Sequence, residues 1–144
     1  STQEIDTLAQ HYIEALPENN FLFEGTIKML EDFSTRYNLH IITNGFEEVQ
    51  HIKLEKSNIK PFFKTITTSE AAGVKKPNKK IFLHAMEVAS TKAKQSVMIG
   101  DTYDADVLGA ANVGMQTIFF NYRKESVKST QRAVTKISEL KHHL

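Results

Sequence analysis

Three short runs carry side chains that could act on a charged substrate. The first is Thr43-Asn44-Gly45. A hydroxyl followed by successive backbone N–H groups, where a strand turns into a helix, makes a concavity suited to anions. The same residues also read as a plain Asn-Gly turn with Thr43 capping the next helix. The second run is Gly73-Val74-Lys75-Lys76-Pro77-Asn78-Lys79-Lys80. An ammonium in this loop could hold a phosphoryl group and balance a nucleophilic carboxylate. Lys76 is the candidate, because Pro77 fixes the backbone directly after it. Lysines crowded into one loop also make an ordinary solvated surface. The third run is Gly100-Asp101-Thr102-Tyr103-Asp104-Ala105-Asp106. Gly100 permits a tight turn, so Asp101 projects from a strand end. Hard cations such as Mg2+ take carboxylate oxygens and keep several waters, so these acids could supply a direct ligand and its supporting partners. Asp104 and Asp106 equally suit a helix N-terminus. The six histidines show no metal-ligand spacing, and there is no nucleophilic Ser/His/Asp arrangement, GxGxxG or P-loop.

The elements that must position these runs follow from periodicity. Ile5, Leu8, Ala9, Tyr12, Ile13 and Leu16 recur at helical spacing up to Pro17. A second helix carries Ile27, Leu30 and Phe33. LHIITNG reads as a strand ending in a polar turn. A third helix, roughly 47–57, carries Val49, Ile52 and Leu54. FKTITT is β-branched and reads as a strand. Asn78 can cap a helix bearing Ile81, Phe82, Ala85, Met86 and Ala89. SVMIGD is a strand, followed by a helix with Ala105, Leu108 and Ala111 that ends near Gly114. MQTIFF is the last strand, and a short amphipathic helix from about Thr135 closes the chain. Alternating strands and helices imply an α/β fold, with a Rossmann-like parallel sheet and helices on both faces. Ligands bind beyond the carboxyl ends of such strands, which places Thr43-Asn44-Gly45, Thr68-Ser69-Glu70 and Gly100-Asp101 on one rim.

Composition narrows the function classes. With 18 Lys+Arg against 17 Asp+Glu and a net charge of +1, there is no electrostatic case for nucleic acid or a membrane surface. Without cysteine there is no disulfide framework and no thiolate metal site, which fits a cytoplasmic protein. No apolar run approaches the roughly 20 residues that cross a bilayer. The chain opens on STQEIDTLAQ with no initiator Met and no signal-peptide pattern, so either the start is processed or the chain is a piece of something longer.

The order of the runs carries more than any one of them. A strand with Thr-Asn-Gly, a Lys-Pro loop, then a strand with Gly-Asp-x4-Asp resembles the second, third and fourth motifs of the haloacid dehalogenase (HAD) superfamily. IITNGFEEVQHIKLEKSNIKPFF, TSEAAGVKKPNKKIFLHAME and VMIGDTYDADVLGAANVGMQTIFFN are similar to HAD nucleotidases of the pyrimidine 5′-nucleotidase type. The resemblance implies a HAD-like core over 21–144 and a remnant of the helical cap over 1–20. It also implies roles at the matching positions. Thr43, with the backbone at Asn44 and Gly45, would bind the substrate phosphate. Lys76 would position phosphate and nucleophile. Asp101 would ligate Mg2+, and Asp106 would support the metal from nearby. The implied activity is Mg2+-dependent hydrolysis of a small-molecule phosphate ester, with nucleotide 5′-monophosphates as the substrate class by resemblance.

The family's first motif, a strand ending in Asp-x-Asp, has no match upstream of Thr43. The one Asp-x-Asp here, Asp104-Ala105-Asp106, belongs to the fourth motif. The expected core is therefore truncated, with its central first strand absent between the strands ending at Thr43 and Gly100. Unpaired buried backbone groups cost about 1–3 kcal/mol each, so such a gap must close. The two inner edges could pair with each other, a second chain could supply a strand through self-association, or an N-terminal segment could remain bound. An intact form would be a phosphatase, with the 144-residue chain inactive alone. A non-catalytic HAD-fold domain that binds phosphate or a partner is the alternative. A haloacid dehalogenase ranks last, since Asp101 and Asp106 suit metal-assisted phosphoryl chemistry.

Overall fold

The computed structural model of the chain describes residues 22–144 and, as backbone, residues 6–9. Its frame is one parallel sheet of six strands in the order β3-β2-β1-β4-β5-β6. In chain order the elements are β1 (Asp6–Ala9), α1 (Thr26–Ser34), β2 (Asn38–Thr43), α2 (Glu47–Lys56), β3 (Phe63–Thr68), α3 (Ser69–Ala72), α4 (Lys79–Val88) and β4 (Ser96–Gly100). A π-helical stretch, Tyr103–Leu108, then runs into α5 (Gly109–Ala111). β5 (Gln116–Phe120), β6 (Ala133–Val134) and a 3-10 turn over Ile137–His142 complete the chain.

Side chains that alternate along the strands sort the core into two layers. Leu39, Ile41, Val97, Ile99, Ile118 and Phe120 face one side, against Leu30 and Phe33 of α1 and Ile137 and Leu140 of the last turn. Ile42 and Met98 face the other, against Ile81, Phe82, Ala85 and Met86 of α4 and Ala110 of α5. Ile81, Phe82, Ala85 and Met86 are thus the buried stripe of α4, as expected, while Ala89 caps its end and is half-buried. Asn78 caps this helix by accepting the Lys80 N–H at 3.0 Å. At Gly109 an added Cβ would sit 2.7 Å from the Phe82 ring, so only glycine lets α5 approach α4 this closely.

Several expectations change. The helix read across Ile5 to Leu16 does not hold at Asp6–Ala9, which are a strand paired with both β2 and β4. Helical periodicity lost here because β2 and β4 offer a ladder on each side, and pairing satisfies four rows of backbone groups at once. The remainder of that reading, and the cap remnant over 1–20, fall mostly outside the described residues. The central position expected to lack the family's first strand is thus held by this chain's own segment, and β2 and β4 do not pair with each other. Ile27, Val49, Ile52 and Leu108 are exposed, whereas Thr26, Leu54, Val107 and Ala110 are buried in their helices. α2 packs at the sheet's edge against α3 and the Lys60–Phe62 turn, so a narrow contact suffices. β6 was not anticipated. The closing helix is a 3-10 turn whose buried Ile137 and Leu140 lie three residues apart, the repeat of that helix.

Candidate active site

Every strand is parallel, so the carboxyl ends of β2, β3, β4 and β5 share a rim. At the end of β2, buried Thr43 accepts the Gly45 N–H at 3.2 Å through its hydroxyl oxygen, leaving the hydroxyl hydrogen to donate. Asn44 fastens the lysine loop to this turn. Its Oδ1 accepts the Lys76 N–H at 2.7 Å, and its Nδ2 donates to the Lys76 carbonyl at 3.3 Å. Ser69, just past β3, donates to the Asn44 carbonyl at 3.0 Å. Thr68 caps α3, and Glu70 accepts the Glu47 N–H at 3.1 Å, tying α3 to the start of α2.

Of the four lysines in this run, Lys75 in the loop and Lys79 and Lys80 at the start of α4 are exposed, while Lys76 is 4% exposed. Its Nζ meets Asp106 Oδ1 at 2.6 Å and donates to the Ile42 carbonyl at 3.3 Å. The Lys76–Pro77 peptide is cis. Asp106 is fully buried, and its second oxygen accepts the Thr102 N–H at 3.0 Å, while its own N–H donates back to the Thr102 carbonyl at 2.8 Å. This reciprocal pair locks the carboxylate under the strand end, in the manner of a capping box. Gly100 is required there. A Cβ at that position would lie 2.3 Å from Asp106 Cβ.

Asp101 is also buried, but its environment differs. Oδ2 meets Arg123 Nη1 at 3.4 Å, and its carbonyl accepts from Arg123 Nη2 at 2.8 Å. Oδ1 is buried and has no hydrogen-bond partner. Burial, and next the negative charge of Asp106, push the Asp101 carboxyl up to about 6, with the Arg123 guanidinium opposing them. Asp104 is exposed on the first helical turn, so the helix-terminus reading accounts for it.

The expected residues Thr43, Asn44, Gly45, Lys76, Asp101 and Asp106 therefore occupy one rim, and Lys76 and Asp106 are in direct contact. Arg123 was not anticipated. Its signal was available, for it follows the carboxyl end of β5 by three residues and so falls under the same strand-end rule. Asn121 holds its loop, exchanging 2.8 Å hydrogen bonds with the backbone N–H and carbonyl of Glu125.

The family model for haloacid dehalogenase-like hydrolases matches residues 1–120. The chain belongs to the haloacid dehalogenase-like hydrolase family. It is 36% identical over 115 residues to the pyrimidine 5′-nucleotidase YjjG of Escherichia coli (strain K12), covering 79% of this chain and 51% of that protein. Over 88 residues it is 41% identical to a glyceraldehyde 3-phosphate phosphatase of Pyrococcus abyssi (strain GE5 / Orsay), covering 61% of this chain and 37% of that one. A magnesium-bound structure of YfnB from Bacillus subtilis, named as a HAD-hydrolase, superposes with a TM-score of 0.83 at 30% identity, over 90% of this chain and 58% of that one. The chain thus spans about half the length of the curated relatives it matches. The HAD likeness includes the pyrimidine nucleotidase subgroup, since PynA of Streptococcus pneumoniae (strain ATCC BAA-255 / R6) is 30% identical over 116 residues, 79% of this chain and 49% of that protein.

A hard cation fits one feature of the rim, the orphaned buried oxygen of Asp101. Asp106 commits both oxygens to Lys76 and Thr102, so it supports the site and Asp101 is the carboxylate with an oxygen to give. Among the described residues no group of three or more His, Cys, Asp or Glu side chains converges to hold a metal. No helix among them is long and apolar enough to cross a membrane.

Proposed function

We propose that this chain is the core of a Mg2+-dependent phosphomonoester hydrolase of the cytoplasm, acting on small phosphate esters of the nucleotide 5′-monophosphate class. The observation that carries the reading is the buried Lys76–Asp106 pair at 2.6 Å beside Asp101, whose Oδ1 has no partner, all at the strand end next to the Thr43 turn. Thr43 would donate its hydroxyl to a phosphoryl oxygen, together with the turn's backbone. Lys76 would face the phosphoryl group while Asp106 fixes its ammonium in place, so little reorganisation is needed. Asp101 would hold the divalent cation, which supplies charge neutralisation of the phosphoryl oxygens. The relatives named as pyrimidine 5′-nucleotidase and glyceraldehyde 3-phosphate phosphatase, and the magnesium in the YfnB structure, support this assignment.

The nucleophile is a separate matter. Asp6 lies in register with Asn38 and Ser96, at the amino end of the sheet, far from the rim. No aspartate follows it before residue 32. The 144-residue chain is therefore proposed to lack turnover by itself. A form that carries an Asp-x-Asp strand should hydrolyse p-nitrophenyl phosphate with Mg2+, and Asp101→Ala should abolish that activity. Full activity in the Asp101→Ala form would refute the metal assignment. Hydrolysis that follows the purified 144-residue chain through successive columns would refute its inactivity. The second reading is a non-catalytic phosphate-binding domain, favoured by the strand already seated in the central position. Saturable binding of inorganic phosphate, with no hydrolysis even when an Asp-x-Asp strand is supplied, would select it.

A further inference from the structure

Arg123 is the one cation that touches Asp101 among the described residues, and its role is not explained by the site so far. Its loop is built for the contact. Asn121 is buried and clamps the loop through both backbone bonds to Glu125. The guanidinium lies over the Tyr122 ring at 4.7 Å, and its Nε donates to Glu125 Oε1 at 3.1 Å. From this seat, Nη2 makes a good bond to the Asp101 carbonyl at 2.8 Å, while Nη1 reaches Asp101 Oδ2 only at 3.4 Å. The carbonyl bond is well made and the carboxylate contact is loose. The two halves of Asp101 are held unequally, and the half that would meet a cation is the one weakly held.

Charge makes the same point. Asp101 is 2% exposed, so a positive neighbour favours its ionised form. Lys76 pairs directly with Asp106 at 2.6 Å and acts on Asp101 only through its charge, whereas Arg123 is in contact with Asp101. The Arg123 side chain is 39% exposed and already bonded to Glu125 and to the Tyr122 hydroxyl, so loosening its carboxylate contact costs little. A guanidinium cannot lose its proton, so it yields the carboxylate only by moving.

We propose that Arg123 is a resident counter-ion on Oδ2 of Asp101 whose positive charge opposes a divalent cation at the unpartnered Oδ1, so that this contact sets how tightly the cation binds. This inference rests on the reading of Asp101 as the metal ligand. A cation at Oδ1 would loosen the guanidinium's hold on Oδ2, and the Nη2 bond to the carbonyl keeps Arg123 at hand for the return.

The test is calorimetric titration of the full chain with MgCl2. Arg123→Gln should bind Mg2+ about tenfold more tightly than the unaltered chain at low salt. Arg123→Lys keeps the charge but loses the fork that spans carbonyl and carboxylate, and should fall between the two. Lys124→Gln removes the same charge from the same loop without touching Asp101, and should change affinity by less than about twofold. In the unaltered chain, the Arg123 Nε–H resonance should shift as Mg2+ saturates the site. Affinity in Arg123→Gln that is unchanged or weaker, an equal gain in Lys124→Gln, or an unmoved Arg123 resonance overturns the proposal. Failure of the metal reading is distinct from this. Asp101→Asn that retains Mg2+ affinity, or an unaltered chain that binds none, removes the metal assignment and this inference together.

Discussion

The two acid–base pairs on the rim are built on opposite plans. Lys76 and Asp106 are both buried, sit at 2.6 Å, and have their further polar atoms engaged by Ile42 and Thr102. Arg123 and Asp101 meet at 3.4 Å, with the arginine side chain 39% exposed and one carboxylate oxygen without a partner. The first pair has no cheap alternative, because separating it strands a charge in the interior. The second can exchange partners, because one member is already partly in water. A site that must hold still in one place and accept a ligand in another can be made from the same charges by varying burial and spacing alone.

Breaking the locked pair should have the largest effect. Lys76→Met leaves Asp106 buried and uncompensated, and should lower the urea unfolding free energy by about 3–5 kcal/mol. Equal stability in that variant would show that the pair is not a lock. On the exchangeable side, pH sharpens the contrast. The folded chain holds the Asp101 carboxyl at about 6 against an ordinary 3.8, so the folded state binds the proton more strongly. Its contribution to stability is present below 3.8 and is lost as pH rises through about 6. Comparison of unfolding curves across this window should show a decline of about 2–3 kcal/mol that Asp101→Asn removes. Absence of any difference between the two pH profiles would mean that Asp101 is not desolvated.

Crowding tests the floor on which the locked pair rests. Gly100→Ala brings a Cβ to 2.3 Å from that of Asp106, and should cost about 1–3 kcal/mol by thermal or urea unfolding. The smallest effect belongs to the exposed partner. Arg123→Gln should change stability by less than about 1 kcal/mol in the absence of Mg2+. A larger loss would place Arg123 with the locked half and against an exchangeable role.

Much of this site could be read before folding was considered. Thr43, Asn44, Gly45 and Asp101 stand at or just beyond the end of a β-branched or apolar run, and the strand-end rule put them on one rim, whereas Asp106 was named only through the motif resemblance. Lys76 was singled out from its neighbours by Pro77, and among the lysines of that run it is the buried one. Arg123 escaped because an arginine in a polar loop after the last strong strand looks like solvated surface, although the strand-end rule covered its position; its reach back to Asp101 sets it apart. Residues 6–9 were misread for a different reason. Their apolar spacing suits a helix, and nothing local reports that two unfilled strand edges wait elsewhere in the chain.

The amino-acid sequence by itself determined the alternation of elements, the parallel sheet and the set of polar residues at its carboxyl rim, because local periodicity and turn chemistry are properties of neighbours along the chain. Tertiary structure alone decided which lysine is buried, which aspartate is locked, which keeps an open oxygen, and which segment fills the middle of the sheet. Those outcomes depend on desolvation and on backbone pairing between residues far apart in sequence, and neither quantity exists until the chain has closed on itself.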